Sequence, residues 1–213
     1  MLHRDLGAAG FRMGDPAFIR IYKRERRLEL WLRRAEAPFR LFRSYDICCY
    51  SGTLGPKLSE GDLQAPEGFY RVGRKQLNPA SRHHLAFNLG FPNAFDRQLG
   101  RTGSALMVHG GCSSTGCYAI TDAGIDQVYA IVEASLEQGQ PAVDVHAFPF
   151  VPTEAALAVE QSHRWHGFWC NLRQGYQLFE RDGRPPAVAA RDGAYVFGSE
   201  AEEPACAAIA AWS

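Results

Sequence analysis

The chain has 213 residues, 46% of them apolar, enough for one domain with a sizeable core and an appendage. Lys plus Arg equal Asp plus Glu at 23 each, so charge gives no reason to expect a nucleic acid or an anionic membrane surface as partner. No stretch approaches the ~20 apolar residues of a transmembrane segment, and the opening MLHRDLGAAGF lacks the apolar region of a signal peptide. Either the chain works in the cytosol or an export segment precedes it.

Residues 17–22 (AFIRIY) and 28–32 (LELWL) alternate apolar and polar, as half-buried strands do. They are expected to form a hairpin, with Lys23–Arg27 as its solvated tip. Residues 39–50 supply one further strand, and 51–66, rich in Gly, Pro, Ser and acidic side chains, read as a loop. Strands follow at 68–72 and 84–89, a short helix at 92–100 ended by Gly100, and a short buried strand at 105–108 running into His109. Ile125, Val128, Tyr129, Val132 and Leu136 repeat at helical spacing, which predicts a helix capped by Thr121 or Asp122 and stopped by Gly139 and Pro141. Residues 143–148 read as a closing strand. Beyond Pro149 the texture changes, with a helix expected at 154–163 and a second whose face carries Trp165, Phe168, Trp169, Leu172 and Tyr176. The terminal PACAAIAAWS reads as a short helix or a frayed tail.

The informative window is residues 101–122, RTGSALMVHGGCSSTGCYAITD. It sets a His, two Cys and several Gly and Ser close together, after a strand and before a helix. Acyl transfer by a thiol needs a base, backbone donors for the oxyanion, and room for a carbonyl. Cys117 and His109 can supply the thiol and base, and the amides of Thr115, Gly116 and Cys117 the donors. Zinc is a rival reading: His109, Cys112 and Cys117 are metal-ligand types, with His146 or His166 as a fourth, although no C-x-x-C pair exists. A Gly-rich turn with buried cysteines is the bland alternative. The six cysteines are an even count, which permits disulfides. At least two of Cys48, Cys49, Cys170 and Cys206 are expected as small buried apolar residues.

Several strings resemble one family. S114-T-G-C-Y118 with His109-Gly110 upstream is similar to the S-x-G-C core of the L,D-transpeptidase (YkuD-type) catalytic domain. G61-D-L-Q-A-P-E-G-F-Y-R71 resembles its T-P-x-G-x-F/Y segment. The strings over 89–96, 101–104 and 107–122, with F148-P-F150, F168-W169 and G175-Y176, resemble its YafK-like branch. The likeness covers roughly residues 15–200. It implies an α+β fold with a mostly β catalytic domain over 15–149 and a helix after the catalytic Cys; the change of texture beyond Pro149 reads 150–213 as a helical, aromatic appendage packed on that domain and a candidate lid.

The resemblance also implies a reaction. Cys117 matches the family nucleophile, His109 its base, and Ser114 and Gly116 motif positions that shape the site; Thr115 stands where many members have His. Members attack a peptidoglycan stem peptide at diaminopimelate, form a thioester and pass the acyl group to an amine or to water, without a cofactor. The partner is then the stem peptide, with a wall-attached protein as a further candidate, and the place is the periplasm. Arg101 is expected to bind a stem carboxylate or to form a surface salt bridge. Gly110 and Tyr118 are expected to border the substrate, Tyr118 with the alternative of a core position. Asp122 is expected as a helix cap rather than a third catalytic residue, and Cys112 as a structural or redox-active thiol. His83, His84, His146, His163 and His166 carry no motif and are expected to be structural or exposed, with His166 bordering the cleft if the aromatic segment closes over it.

Overall fold

The computed structural model describes residues 1–198; Cys206 and the Ala-rich C-terminal run lie outside the described residues. After a short helix, α1 (Leu2–Ala8), β1 (Ala17–Tyr22) and β2 (Arg27–Leu32) form the expected hairpin. The stretch read as one strand over 39–50 is two strands in different sheets: β3 (Arg40–Asp46) borders the first and β4 (Cys49–Tyr50) the second. The first sheet continues with β5 (Gly68–Val72) and β10 (Val143–Phe148), in the order β3-β2-β1-β10-β5, with β1 and β10 parallel. The second holds β6 (Leu77–Ser81), β7 (His84–Asn88), β8 (Met107–His109) and β9 (Tyr118–Ala119), in the order β4-β9-β8-β7-β6. A five-residue helix, α2 (Ala94–Gln98), lies between β7 and β8 and is capped by Asn93.

Helix α3 (Asp122–Glu137) buries the predicted face, and Ile125, Val128, Val132 and Leu136 join one core with Ile19 and Val145 of the first sheet and Phe87 and Val108 of the second. Full burial of each such side chain contributes about 1.5–3 kcal/mol. Thr121, not Asp122, caps this helix, accepting from the Gly124 amide.

The other face of the first sheet is also covered, which is why all six residues of β1 are buried. Helix α4 (Glu154–Val159), helix α5 (His166–Asp182) and a hairpin of β11 (Val188–Arg191) and β12 (Ala194–Phe197) pack a second, aromatic core there. Phe168, Trp169, Leu172 and Phe179 of α5 meet Tyr22, Phe69 and Phe148 of the sheet. Arg20 fastens the contact: its guanidinium, 1% exposed, pairs with Glu180 at 2.6 Å and lies 4.0 Å from the Phe179 ring centre.

Lys23 overturns its expectation. It is not at a solvated tip but fully buried, paired with the equally buried Glu67 at 3.0 Å. Its ammonium also donates to the carbonyls of Thr53 and Gly55, while Glu67 accepts from the Gly55 amide and from Trp169 Nε1. One ion pair thus joins the β1–β2 turn, the 51–66 loop and α5.

Candidate active site

Strands β8 and β9 are parallel neighbours, with Val108 opposite Tyr118 and His109 opposite Ala119. One step back, Cys117 stands opposite Met107, and the Met107 amide donates to Cys117 Sγ at 3.4 Å. Side chains alternate along strands, so Met107, His109 and Cys117 share a face and Val108 and Tyr118 take the other. Tyr118 is accordingly core: it is fully buried, and its hydroxyl donates to the Pro66 carbonyl at 2.6 Å. It takes the core alternative.

Parallel strands are ordinarily joined by a dozen or more residues; here 110–117 suffice. The turn is tight enough to need glycine at two points. A Cβ on Gly110 would meet Asp122 Oδ1 at 2.6 Å and the His83 carbonyl at 2.7 Å, so packing alone requires glycine there. Gly116 has φ +97° and passes against Leu106. Asp122, at the first turn of α3, accepts from the Gly111 amide at 2.7 Å. A disulfide from Cys112 to Cys48 anchors the loop to the β3–β4 junction. Cys48 is therefore no buried apolar residue, and Cys112 is no second thiol. The same bond removes one donor of the zinc reading; His146 lies in the aromatic core between Phe18 and Phe69, and His166 begins α5 beside Cys170. Cys49 and Cys117 are the free thiols among the described residues.

His109 is 2% exposed, and its Nδ1 lies 2.6 Å from the Gly110 carbonyl. A carbonyl only accepts, so Nδ1 carries the proton and the lone pair sits on Nε2, as a base requires. Burial pushes the His109 pKa down, the Gly110 contact opposes this, and the nearby His83 adds to it. Burial likewise pushes the Cys117 thiol up, against smaller opposing effects of the Met107 amide and Lys57. Both shifts favour a neutral thiol and a neutral imidazole over an ion pair. Cys117 Sγ is directed to the Ala105 carbonyl at 3.5 Å, and no hydrogen bond joins it to His109 among the described residues.

The expected oxyanion donors are in place but engaged. Ser114 Oγ accepts from the Cys117 amide at 2.9 Å and donates to the Cys117 carbonyl at 2.6 Å, and the Gly116 amide donates to Ser51 Oγ. Thr115 is exposed beside them. Arg101 is not at the site at all: its side chain, 4% exposed, pairs with Asp96 at 2.9 Å and lies over Phe95 and Phe168. The pairing is buried, not a surface bridge. Sequence reasoning missed Ser51, Gln64 and Lys57, which sit in the loop dismissed as irregular. Gln64 ties that loop together through the Thr53 and Gly55 carbonyls, and Lys57, buried, pairs with Asp62 near the thiol. A cavity of about 640 Å³ opens elsewhere, lined by Phe69, Arg71, Asn93, Asp144, His146 and Tyr195; neither Cys117 nor His109 lines it.

A thiol and a tautomer-fixed imidazole share one face of adjacent parallel strands in a two-sheet α+β scaffold, an arrangement suited to a cysteine-dependent enzyme. The model of the L,D-transpeptidase catalytic domain (YkuD) matches residues 16–145, and the chain belongs to that family. A relative from Escherichia coli (strain K12), provisionally named L,D-transpeptidase YafK, is 47% identical over 184 residues, 86% of this chain and 74% of the relative. Among solved structures, a variant of the helical cell shape determining protein Pgp2 from Campylobacter jejuni matches with a TM-score of 0.52 at 18% identity, covering 83% of this chain and 67% of that one. A second Pgp2 structure matches with a TM-score of 0.50 at 16% identity, covering 89% and 80%. These two likenesses establish the fold: mixed α+β with sheets dominating. Members of the family act on peptidoglycan peptides.

Proposed function

We propose that this chain is a peptidoglycan L,D-transpeptidase, with Cys117 as nucleophile and His109 as base. The observation that carries the reading is the β8–β9 register, which sets both side chains on one face with Nε2 of His109 left as the acceptor. Nε2 takes the thiol proton as the thiolate attacks the carbonyl on the L-centre of a diaminopimelate residue. The leaving amine departs with that proton, and a thioester remains. A second amine attacks the thioester and completes the new peptide bond; water in its place gives carboxypeptidase or amidase products, including release of a wall-attached protein. The periplasm is the proposed place of action, since the substrate is there.

Oxyanion stabilisation falls to the Gly116 and Cys117 amides once the hydroxyls of Ser51 and Ser114 give way. Each such release forfeits a hydrogen bond worth about 1 kcal/mol, a small cost beside the ~3–4 kcal/mol an oxyanion donor supplies in a transition state. Residues 150–198 cover the face of the first sheet that lies away from the α3 core, and a lid role for them is part of the proposal.

The test is mass spectrometry of tetrapeptide muropeptides incubated with the protein and with Cys117→Ala. Dimers made only by the wild type establish transpeptidation. Monomers shortened or released only by the wild type make water the acceptor. Muropeptides left untouched by both would refute the choice of donor.

A further inference from the structure

The hairpin of β6 and β7 brings a second histidine onto the proposed base. The His83 ring lies over the His109 ring with centroids 4.5 Å apart and planes 30° from parallel. The two rings differ in burial: His109 is 2% exposed, whereas His83 faces solvent. The hairpin tip is not free to swing. The Gly110 amide donates to the carbonyls of His83 and Leu85, both at 3.1 Å, so the same residue that fixes the His109 tautomer fixes the turn. His84, adjacent, is turned outward to Asp126 at 2.6 Å. The His83 amide is held by Ser81 Oγ.

We propose that His83 is a positioning residue for the His109 base: its ring covers one face of the His109 imidazole and holds it in the orientation that presents Nε2 to the thiol. This rests on the reading of His109 as the base. The cover has an electrostatic side. The titratable groups around His109 are Cys117 on the β9 side, Asp122 at the start of α3, and His83 with His84 and Asp126 at the hairpin and helix. Asp122 is committed to the Gly111 amide and Asp126 to His84, and among these charged groups it is His83 that acts on His109, disfavouring its protonation. A base kept neutral to lower pH is available over a wider range, so His83 extends the acid side of the activity profile.

The experiment is an NMR titration of the His109 ring in the Cys117→Ala background, carrying His83, His83→Phe or His83→Ala. It reads the base directly and requires no turnover, so it stands apart from any failure of the muropeptide assay. In the Phe variant, which keeps an aromatic cover without charge, the His109 midpoint should rise by at least roughly half a pH unit, the size for two charges about 4.5 Å apart in bulk water, since the burial of His109 weakens the screening. In the Ala variant it should rise further, as water reaches the ring. With Cys117 restored, His83→Phe should keep its alkaline-plateau kcat within about twofold, while His83→Ala should lose about tenfold in kcat with KM little changed, the signature of a misplaced base. Midpoints unchanged in both variants, or equal plateau kcat in the Phe and Ala variants, would overturn the proposal.

Discussion

Replacing Lys23 by Met tests how the loop over the candidate thiol is held. Lys23 and Glu67 are both fully buried, and the ammonium meets three oxygens: Glu67 at 3.0 Å, the Gly55 carbonyl at 2.8 Å and the Thr53 carbonyl at 3.3 Å. Met keeps the apolar stem and deletes the charge. Glu67 then retains the Gly55 amide at 2.7 Å and Trp169 Nε1 at 2.9 Å but no cation. Removing one partner of a buried pair costs about 3–5 kcal/mol, chiefly because the remaining charge is stranded. At about 2–4 °C per kcal/mol for a chain of this size, Tm should fall by about 6–20 °C. Glu67→Gln should cost less. Burial already pushes Lys23 down, so the lysine can shed its proton once the carboxylate is gone, and the amide still accepts from Gly55. The double variant strands no charge and should therefore be more stable than the two single losses added together. Thermal unfolding by circular dichroism, run on all four proteins, decides it. A Lys23→Met protein melting within about 2 °C of the parent would refute the claim that this pair anchors the loop, as would strict additivity in the cycle.

Four further outcomes are expected. The Cys48–Cys112 disulfide spans 64 residues of sequence, for which loop closure alone is worth about 4 kcal/mol; a Cys48→Ala, Cys112→Ala protein should melt about 8–16 °C lower, and an unchanged scan would mean the bond contributes nothing in solution. Because burial raises the Cys117 thiol and lowers His109, the rate of Cys117 alkylation should keep climbing with pH through the ordinary thiol range, and a plateau reached by pH 7 would instead signal a thiolate–imidazolium pair. Since the base must be neutral to accept the proton, the acid limb of kcat/KM should lie below the usual histidine range and move up, not down, when His109 is made more solvent-accessible. Ser51→Ala frees the Gly116 amide; stability should drop by about 0.5–1.5 kcal/mol while kcat/KM holds or rises, and a large fall in kcat/KM would show that the hydroxyl itself takes part.

Regular periodicity made most of the scaffold legible. The β1–β2 hairpin, α3 with its buried face, and β10 stand where alternation and helical spacing put them, because each presents one apolar stripe to one core. What failed had a physical cause in each case. Residues 39–50 read as continuous because nothing local marks the step between sheets; the break at Ile47 and Cys48 comes from the long-range bonds of Cys48 to the Ala119 carbonyl and to Cys112. β6 carries Pro79 and polar residues, which is tolerable only because it is an edge strand. Lys23 sits in a basic run that looks solvated, and only a glutamate 44 residues away makes its burial affordable. Arg101 was legible as a charge near the motif but not as the partner of Asp96, five residues back, since pairing depends on α2 turning inward.

At the site itself, the residue types were legible and their state was not. Cys117, His109, Ser114 and Gly116 are visible as a spacing, yet that spacing is silent on whether the thiol is charged or the amides free. Burial bears on the first, and hydroxyls near and far, of Ser114 and Ser51, on the second. Ser51 reaches the Gly116 amide from a loop that Lys23 and Gln64 clamp through the carbonyls of Thr53 and Gly55. The buried ion pair, the loop and the proposed oxyanion donor are therefore one mechanical unit. If substrate entry shifts that loop, it frees an amide at the moment a carbonyl arrives. Weakening the clamp by Lys23→Met should accordingly raise the alkylation rate of Cys117 even as it lowers Tm. An alkylation rate that stays fixed while Tm falls would separate the loop's stability from its control of the thiol.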